Sequence, residues 1–493
     1  MLWARAEVDA QRPAIVERDG VTDFESLRGQ AAGVAAALSE CVRPTDRVGI
    51  FLERGANAAA AFFGVAALGG IAIILNEALR PRQIEYMLNH GRARALLTSA
   101  GLLARQPRAV ETDSRILDIA AIPPVAQWAP VPRLESDVAQ IIYTSGSTGL
   151  PKGVTVTHGN LWAGMRAVTG YLTITRDDRI AGLLPFSFDY GFNQLLCAVG
   201  TGAALVVERS HVPQQIAATL RARQVTVLPA VPPLWLQLLS VEAFGAAPIK
   251  SLRVMTNTGG RLPVEAVRKL RRAQPHADLV LMYGLTEAFR STYLPPEQVD
   301  QRPDSIGVAI PGAEILVLRD DLTPCGPGEE GELVHRGPTV ALGYWADPES
   351  TARVFRPNPL RPAGVPDTER VVFSGDLVRR DAEGFLYFVA RRDRMIKTLG
   401  YRVSPEEVAE ALYASGEVGE ALVTSEPDEL RGERIVAHVV LAAGGSLQRL
   451  EAFCRAELPR YMQPCRFDLR DELPRTSSGK HDPGALRVVR DPA

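Results

Sequence analysis

Residues 139–153 read AQIIYTSGSTGLPKG. The opening AQIIY is a short β-branched and aromatic run with the pattern of a buried strand, and the loop behind it is almost wholly Ser, Thr and Gly. Gly146 and Gly149 let the backbone turn tightly and bring amide groups onto a polyanion. Thr144, Ser145, Ser147 and Thr148 add hydroxyl donors, and Lys152 adds a charge. A strand feeding a phosphate cradle is the signature of an α/β core. The loop is not of the Walker type, because its lysine comes three residues after the last glycine and no Ser or Thr follows it.

Downstream, ALVV near residue 205, VTVLP near 226 and LVLMY near 281 alternate with helix-like segments, which argues for stacked, mostly parallel sheets joined by crossover helices. Upstream, residues 58–75 carry no charge. Gly69 and Gly70 divide that stretch into an alanine-rich segment suited to a buried helix and a strand-like IAIIL, so it reads as core and not as a membrane span. Prolines 123, 124, 130 and 132 mark a surface connector. From residue 313 to 344 the pattern turns to glycine-punctuated strands, EILVLRD and GELVHRG, which predict a small β subdomain.

FLYFVA then ends in the charged cluster 391–394, and a new α/β pattern begins. Ser404, Pro405 and Glu407 form a capped helix start ahead of Val408 and Leu412. The spacing predicts a core over residues 1–392 and a small α+β domain over 393–493 that carries Lys480 in a polar SSGK loop. A chain of 493 residues exceeds what one core supports. Its 55 basic and 57 acidic residues give a net charge of −2 and no footprint for nucleic acid, so small molecules are the expected partners. Five cysteines without a CxxC pair suggest neither a disulfide framework nor a zinc site. The start, MLWARAEVDAQRP, carries charges where an export signal would have its apolar stretch, so a cytoplasmic location is expected.

The loop, together with LPFSFDYG, TNTGGRLP, MYGLTEA, GELVHRGPTVALGYW, FSGDLVRRD, RRDRMIKTLGYRVSPEEV and LPRTSSGK in that order, resembles the adenylate-forming superfamily of acyl-CoA synthetases, carrier-protein adenylation domains and luciferases. The resemblance implies an AMP-forming acid–thiol ligase using ATP and Mg²⁺, with coenzyme A or a carrier protein's phosphopantetheine as acceptor. It implies that Tyr283 stacks on adenine, Thr286 bonds the α-phosphate, Glu287 holds magnesium, and Gly259, Gly260 and Gly284 let backbone approach the nucleotide. Asp376 would take the ribose hydroxyls, with Arg391 beside it. Lys480 would reach the substrate carboxylate and the α-phosphate, and Asp393 would be the hinge of a mobile small domain. Gly400, Tyr401 and Arg402 would approach the thiol. The HDPGAL after Lys480 lacks the arginine that the family often has there.

In FSFDYGFNQ, Phe188 and Asp189 resemble the pair with which amino-acid adenylation domains meet a substrate ammonium; an N-cap aspartate is the equal alternative. Arg290, three residues past Glu287, either meets a second carboxylate on the substrate or forms a surface ion pair, the more ordinary fate. By analogy, residues 230–234 and 289–293 line the acyl pocket. EAFRSTYLPP with RPDSIG looks like bacterial exosortase-associated acyl-CoA ligases and like stand-alone amino-acid or β-amino-acid activating enzymes. A luciferase-like oxygenase shares the first half-reaction. A non-catalytic nucleotide binder would be expected to lack Glu287 or Lys480, and both are present.

Overall fold

The run 139–143 lies in strand Val138–Thr144, and the chain returns antiparallel to it as Lys152–Thr157, the last pair being Thr144 opposite Lys152. The computed structural model describes residues 1–144, 150–239, 241–260, 262, 264–391, 396–403, 405–474 and 486. Ser145, Gly146, Ser147, Thr148, Gly149, Asp393, Ser404 and Lys480 therefore lie outside the described residues.

Among the described residues the strands form four sheets. Val138–Thr144 belongs to a seven-stranded sheet beside Ile71–Leu75, to which it runs parallel. The uncharged stretch divides as its glycines predict: helix Ala56–Ala67, then the fully buried strand Ile71–Leu75, with Gly69 in the left-handed region at φ 77°. The small side chains of that helix let it pack against helix Phe24–Leu38 between the sheets. No described helix is long and apolar enough to cross a membrane.

The second sheet has nine strands and contains Ala204–Val207, Val227–Ala230, Val254–Asn257 and Asp278–Tyr283 in parallel pairings, as their continuous apolar runs predict. Glu314–Leu318, Glu330–Arg336 and Arg370–Arg380 form the antiparallel β subdomain, with Leu386–Arg391 on its edge. The fourth sheet takes its strands from residues 396–469 and packs helices Pro405–Ala414 and Leu447–Glu457 over its own small core. The architecture is thus a large N-terminal α/β domain with a β subdomain, followed by a small C-terminal domain.

His335 joins the subdomain to the nine-stranded sheet. It is fully buried, and its two ring nitrogens lie 3.0 Å from Ser291 Oγ and 3.0 Å from Thr339 Oγ1. Burial pushes its pKa down to about 4. Because the folded value lies below the ordinary one, stability is full above pH 6.5 and is lost as pH falls towards 4. Between pH 6.5 and 5.5 the protein should lose about 1 kcal/mol more stability than a His335→Asn variant in chemical denaturation; parallel pH profiles would contradict this.

Candidate active site

Parallel strands Val254–Asn257 and Asp278–Tyr283 are neighbours, and the TGG and YGLTEA loops leave their carboxyl ends side by side. Ligands of open α/β sheets bind at such ends. Here they open into a cavity of about 930 Å³, lined also by the β subdomain, the Lys152 strand and residues 400–402 of the small domain. It brings together Thr144, Lys152, Phe188, Asp189, Gly259, Gly260, Tyr283, Gly284, Thr286, Glu287, Arg290 and residues 400–402. Residues 230–234 are not among its lining, although Val231 stands behind Gly259.

At one end the Tyr283 hydroxyl donates to Asp376 Oδ2, and Asp376 is fully buried on strand Arg370–Arg380. Its backbone N–H donates to Ser374 Oγ at 3.1 Å, and the next-door Gly375 N–H donates to Glu332 Oε1 at 2.9 Å. A flat ring and a fixed carboxylate side by side suit a base and its vicinal diol. Arg391 pairs with Asp376 across the two strands.

At the other end Lys152 Nζ donates to Ser350 Oγ at 2.6 Å, stands 3.8 Å from Asp347 and lies over the Tyr344 ring. Burial lowers its pKa, and Asp347 opposes the shift. Tyr344 donates its hydroxyl to Glu287 Oε1 at 2.7 Å, which fixes that carboxylate at the cavity wall. The described residues contain no ready-made cluster of metal ligands. Glu287 nonetheless fits magnesium, which binds through one or two carboxylates and completes its shell with phosphate oxygens and water.

Towards the third wall, Asp189 is the first residue of helix Asp189–Thr201, with Phe188 in the N-cap position; the N-cap alternative does not hold. Asp189 Oδ1 accepts only from the adjacent Tyr190 N–H, at 2.8 Å, among the described residues. Burial pushes its carboxyl pKa up, and Arg290 pulls it back. The surface ion pair expected of Arg290 is corrected as well: the residue is 2% exposed, and its Nη1 donates to Thr258 Oγ1 at 2.8 Å. Arg290 is inside because the loop doubles back: a Cβ on Gly284 would come within 2.5 Å of the Phe289 carbonyl oxygen and 2.9 Å of the Arg290 Cα.

The small domain reaches the cavity through residues 400–402. Gly400, at φ 81°, brings its carbonyl against Gly259, Tyr401 lines the cavity with Asn76, and Arg402 comes to 4.0 Å from Asp376. Sequence reasoning missed Tyr344, Thr258, Ser350 and Asn76. Tyr344 and Thr258 lie inside quoted motifs, but only the fold shows what they touch. Ser350 and Asn76 carry no sequence signal.

A cavity of this size at the carboxyl ends of parallel strands, lined from both domains of this fold, fits an adenylate-forming enzyme. The chain belongs to the AMP-binding enzyme family, which matches residues 2–345, and that family's C-terminal domain matches residues 407–480. The long-chain-fatty-acid–CoA ligase of Bacillus subtilis is 27% identical over 93% of this chain and 88% of its own length. The dimodular nonribosomal peptide synthase of Bacillus subtilis is 29% identical over 99% of this chain, which spans only 20% of that protein. Among solved structures, o-succinylbenzoate CoA synthetase of Bacillus subtilis bound with its product analogue OSB-NCoA superposes with a TM-score of 0.86 at 27% identity, covering 99% of this chain and 98% of that one. The same enzyme with its acyl-adenylate intermediate OSB-AMP gives 0.71, at 27% identity and the same coverage.

Gly284→Ala should cost about 1–3 kcal/mol, because the new methyl meets backbone that cannot swing away, and should weaken ATP binding. Thermal melts with and without ATP measure both. Asp189→Asn should raise the melting temperature of the ligand-free protein, more at pH 8 than at pH 5, because a carboxyl whose pKa is raised by folding costs stability once pH forces it to ionise. An equal or opposite shift would contradict that burial.

Proposed function

We propose that the protein is an AMP-forming acid–thiol ligase. An oxygen of a carboxylic acid attacks the α-phosphorus of ATP, the bond to the β-phosphate bridge breaks, and pyrophosphate leaves. A thiol sulfur then attacks the acyl carbon of the adenylate, its proton passes to solvent, and AMP departs. The observation that carries this is the one cavity that brings together Tyr283, whose hydroxyl bonds the buried Asp376 behind it, Lys152 and Glu287, and residues 400–402.

The residues have separate tasks. Tyr283 and Asp376 hold adenosine, with Gly259, Gly260 and Gly284 giving backbone access and Arg391 assisting. The hydroxyls and amides of residues 144–149 and Lys152 hold the departing pyrophosphate. Thr286 bonds the α-phosphate, and Glu287 would hold magnesium, which supplies charge neutralisation at the phosphates when bound. Lys480 stabilises charge at the reacting phosphorus, so the first step rests on positioning and electrostatics. In the second step the domain from residue 393 turns about Asp393, withdrawing Lys480 and bringing residues 400–402 to the adenylate. The higher similarity to a structure holding a CoA product analogue, together with residues 400–402 at the cavity, supports the view that the chain stands in its thiol-side arrangement.

Coenzyme A is the acceptor favoured by the relatives that match over nearly their full length. The second reading, an amino or β-amino acid loaded onto a carrier protein's phosphopantetheine, is supported by the buried Asp189 and by the match to a segment of a peptide synthase. Exosortase-associated ligases and stand-alone adenylation enzymes represent these two readings. Both place the protein in the cytoplasm, where ATP and the thiol are supplied.

Lys480→Ala should slow ATP–pyrophosphate exchange roughly 100- to 1000-fold, the usual loss for one transition-state donor, yet leave thiol capture of a supplied acyl adenylate within about threefold. Exchange at the wild-type rate would overturn the assignment of Lys480. Supplying coenzyme A and a phosphopantetheinylated carrier in parallel separates the acceptors.

A further inference from the structure

We propose that the activated acid carries a second carboxylate, received by Arg290, so that the substrate is a dicarboxylic acid. This rests on the adenylation reading above and deepens it at the acid wall.

Arg290 is a buried cation whose hydrogen-bonding capacity is only partly used. Its planar head lies over two aromatic rings, Tyr190 at 5.0 Å and Phe289 at 5.2 Å, so its faces are covered. Nη1 is committed to the Thr258 hydroxyl. Nε is buried and has no partner, and among the described residues no carboxylate comes within ion-pair distance of the guanidinium. Nη2, on the same edge of the guanidinium as Nε and parallel to it, makes no hydrogen bond among the described residues, and the residue lines the cavity. A guanidinium cannot shed its charge, and an unpaired buried charge is costly. The acceptor that matches two parallel N–H groups is a planar pair of oxygens carrying negative charge.

The backbone holds this arrangement in place. Phe289 sits in the left-handed region at φ 60°, which is rare for a bulky aromatic residue, and Gly284 leaves the space into which the 289–290 backbone folds. The charge is felt across the wall: Arg290 lowers the pKa of Asp189, Tyr171, Tyr190 and Cys197 against their burial. The carboxylate to be activated must sit at the phosphate end, beside Thr286. On that reading a carboxylate that meets Arg290 is a second one. Asp189 stands on the same wall, so a dicarboxylic acid with an ammonium group and one without are two sources of the same chemistry.

The test is ATP–pyrophosphate exchange with chain-matched pairs: butyrate and succinate, pentanoate and glutarate, hexanoate and adipate, benzoate and phthalate, with aspartate and glutamate as the ammonium-bearing arm. The wild-type enzyme should prefer the diacid in at least one pair by tenfold or more in kcat/KM. Arg290→Met should raise KM for that diacid by about 10- to 100-fold, the range for a lost charge-assisted pair, while kcat changes by less than about threefold. Arg290→Lys should recover part of the affinity. Retained ATP protection in thermal melts shows that the variants are folded, and the wild-type preference needs no variant. Monoacids exchanging as well as their diacid partners would overturn the proposal and leave adenylation standing. So would an Arg290→Met defect in kcat that is equal for every acid, since that marks a group acting at the phosphate. Exchange with no acid, aliphatic, aryl or amino, would overturn adenylation and this proposal together.

Discussion

The site depends on one backbone approach: the chain leaving strand Asp278–Tyr283 folds back so closely that the Phe289 carbonyl and the Arg290 Cα rest against Gly284. A side chain on residue 284 would hold the two strands of this loop apart. With glycine there, the eight residues from Tyr283 to Arg290 present groups to several parts of the cavity: Tyr283 to Asp376, Glu287 to Tyr344, and Arg290 to Thr258. The left-handed Phe289 is the counterpart of this contact, since local strain at a site persists only where surrounding packing enforces it. Gly164 shows that packing from the other side, because a Cβ there would lie 2.7 Å from the Phe289 ring.

Two sets of opposite charges beside the cavity are kept near each other without closing into tight pairs among the described residues: Lys152 stands 3.8 Å from Asp347, and Asp189 and Arg290 interact electrostatically without direct contact. Arg402 comes to 4.0 Å from Asp376. A tight pair would have to be broken before a ligand could use either member, whereas loosely held charges exchange protein partners for substrate ones at small reorganisation cost. The Asp376–Arg402 approach adds a mechanical consequence. The carboxylate suited to the ribose is also the one the small domain reaches, so nucleotide occupancy and the position of residues 400–402 bear on the same atom. The stacking of Tyr401 on Tyr461, 3.8 Å apart, anchors that approach within the small domain.

The sequence carried the fold where periodicity and glycine placement act locally. Residues 58–75 split at Gly69 as expected, and ALVV, VTVLP and LVLMY are parallel strands because they are buried on both faces. The grouping of the TGG and YGLTEA residues at one cavity was legible for a related reason: they are short-range constellations, each motif at the end of one strand. What the sequence did not reveal are partners brought together from distant segments. Tyr344 lies 57 residues from Glu287, and Ser350 lies 198 from Lys152. No local pattern records such contacts. Arg290 was misjudged towards the surface for the same reason, because its burial depends on how tightly residues 284–290 close and not on the polarity of its neighbours.

The two ends of that loop differ in how far the protein satisfies its own polar groups. At the phosphate end the protein satisfies itself: Tyr344 bonds Glu287, and Ser350 and Asp347 occupy Lys152. Those groups need only be released to take the phosphates and metal that any adenylation requires. At the Arg290 wall the hydrogen bonding does not close among the described residues, since Thr258 uses one nitrogen of Arg290 and two aromatic rings cover its faces, while Nε is buried without a partner. A folded protein rarely leaves a buried donor unmatched without a functional reason. The unmatched edge of Arg290 is therefore the part of the cavity where the identity of the acid is written, and its geometry asks for a carboxylate.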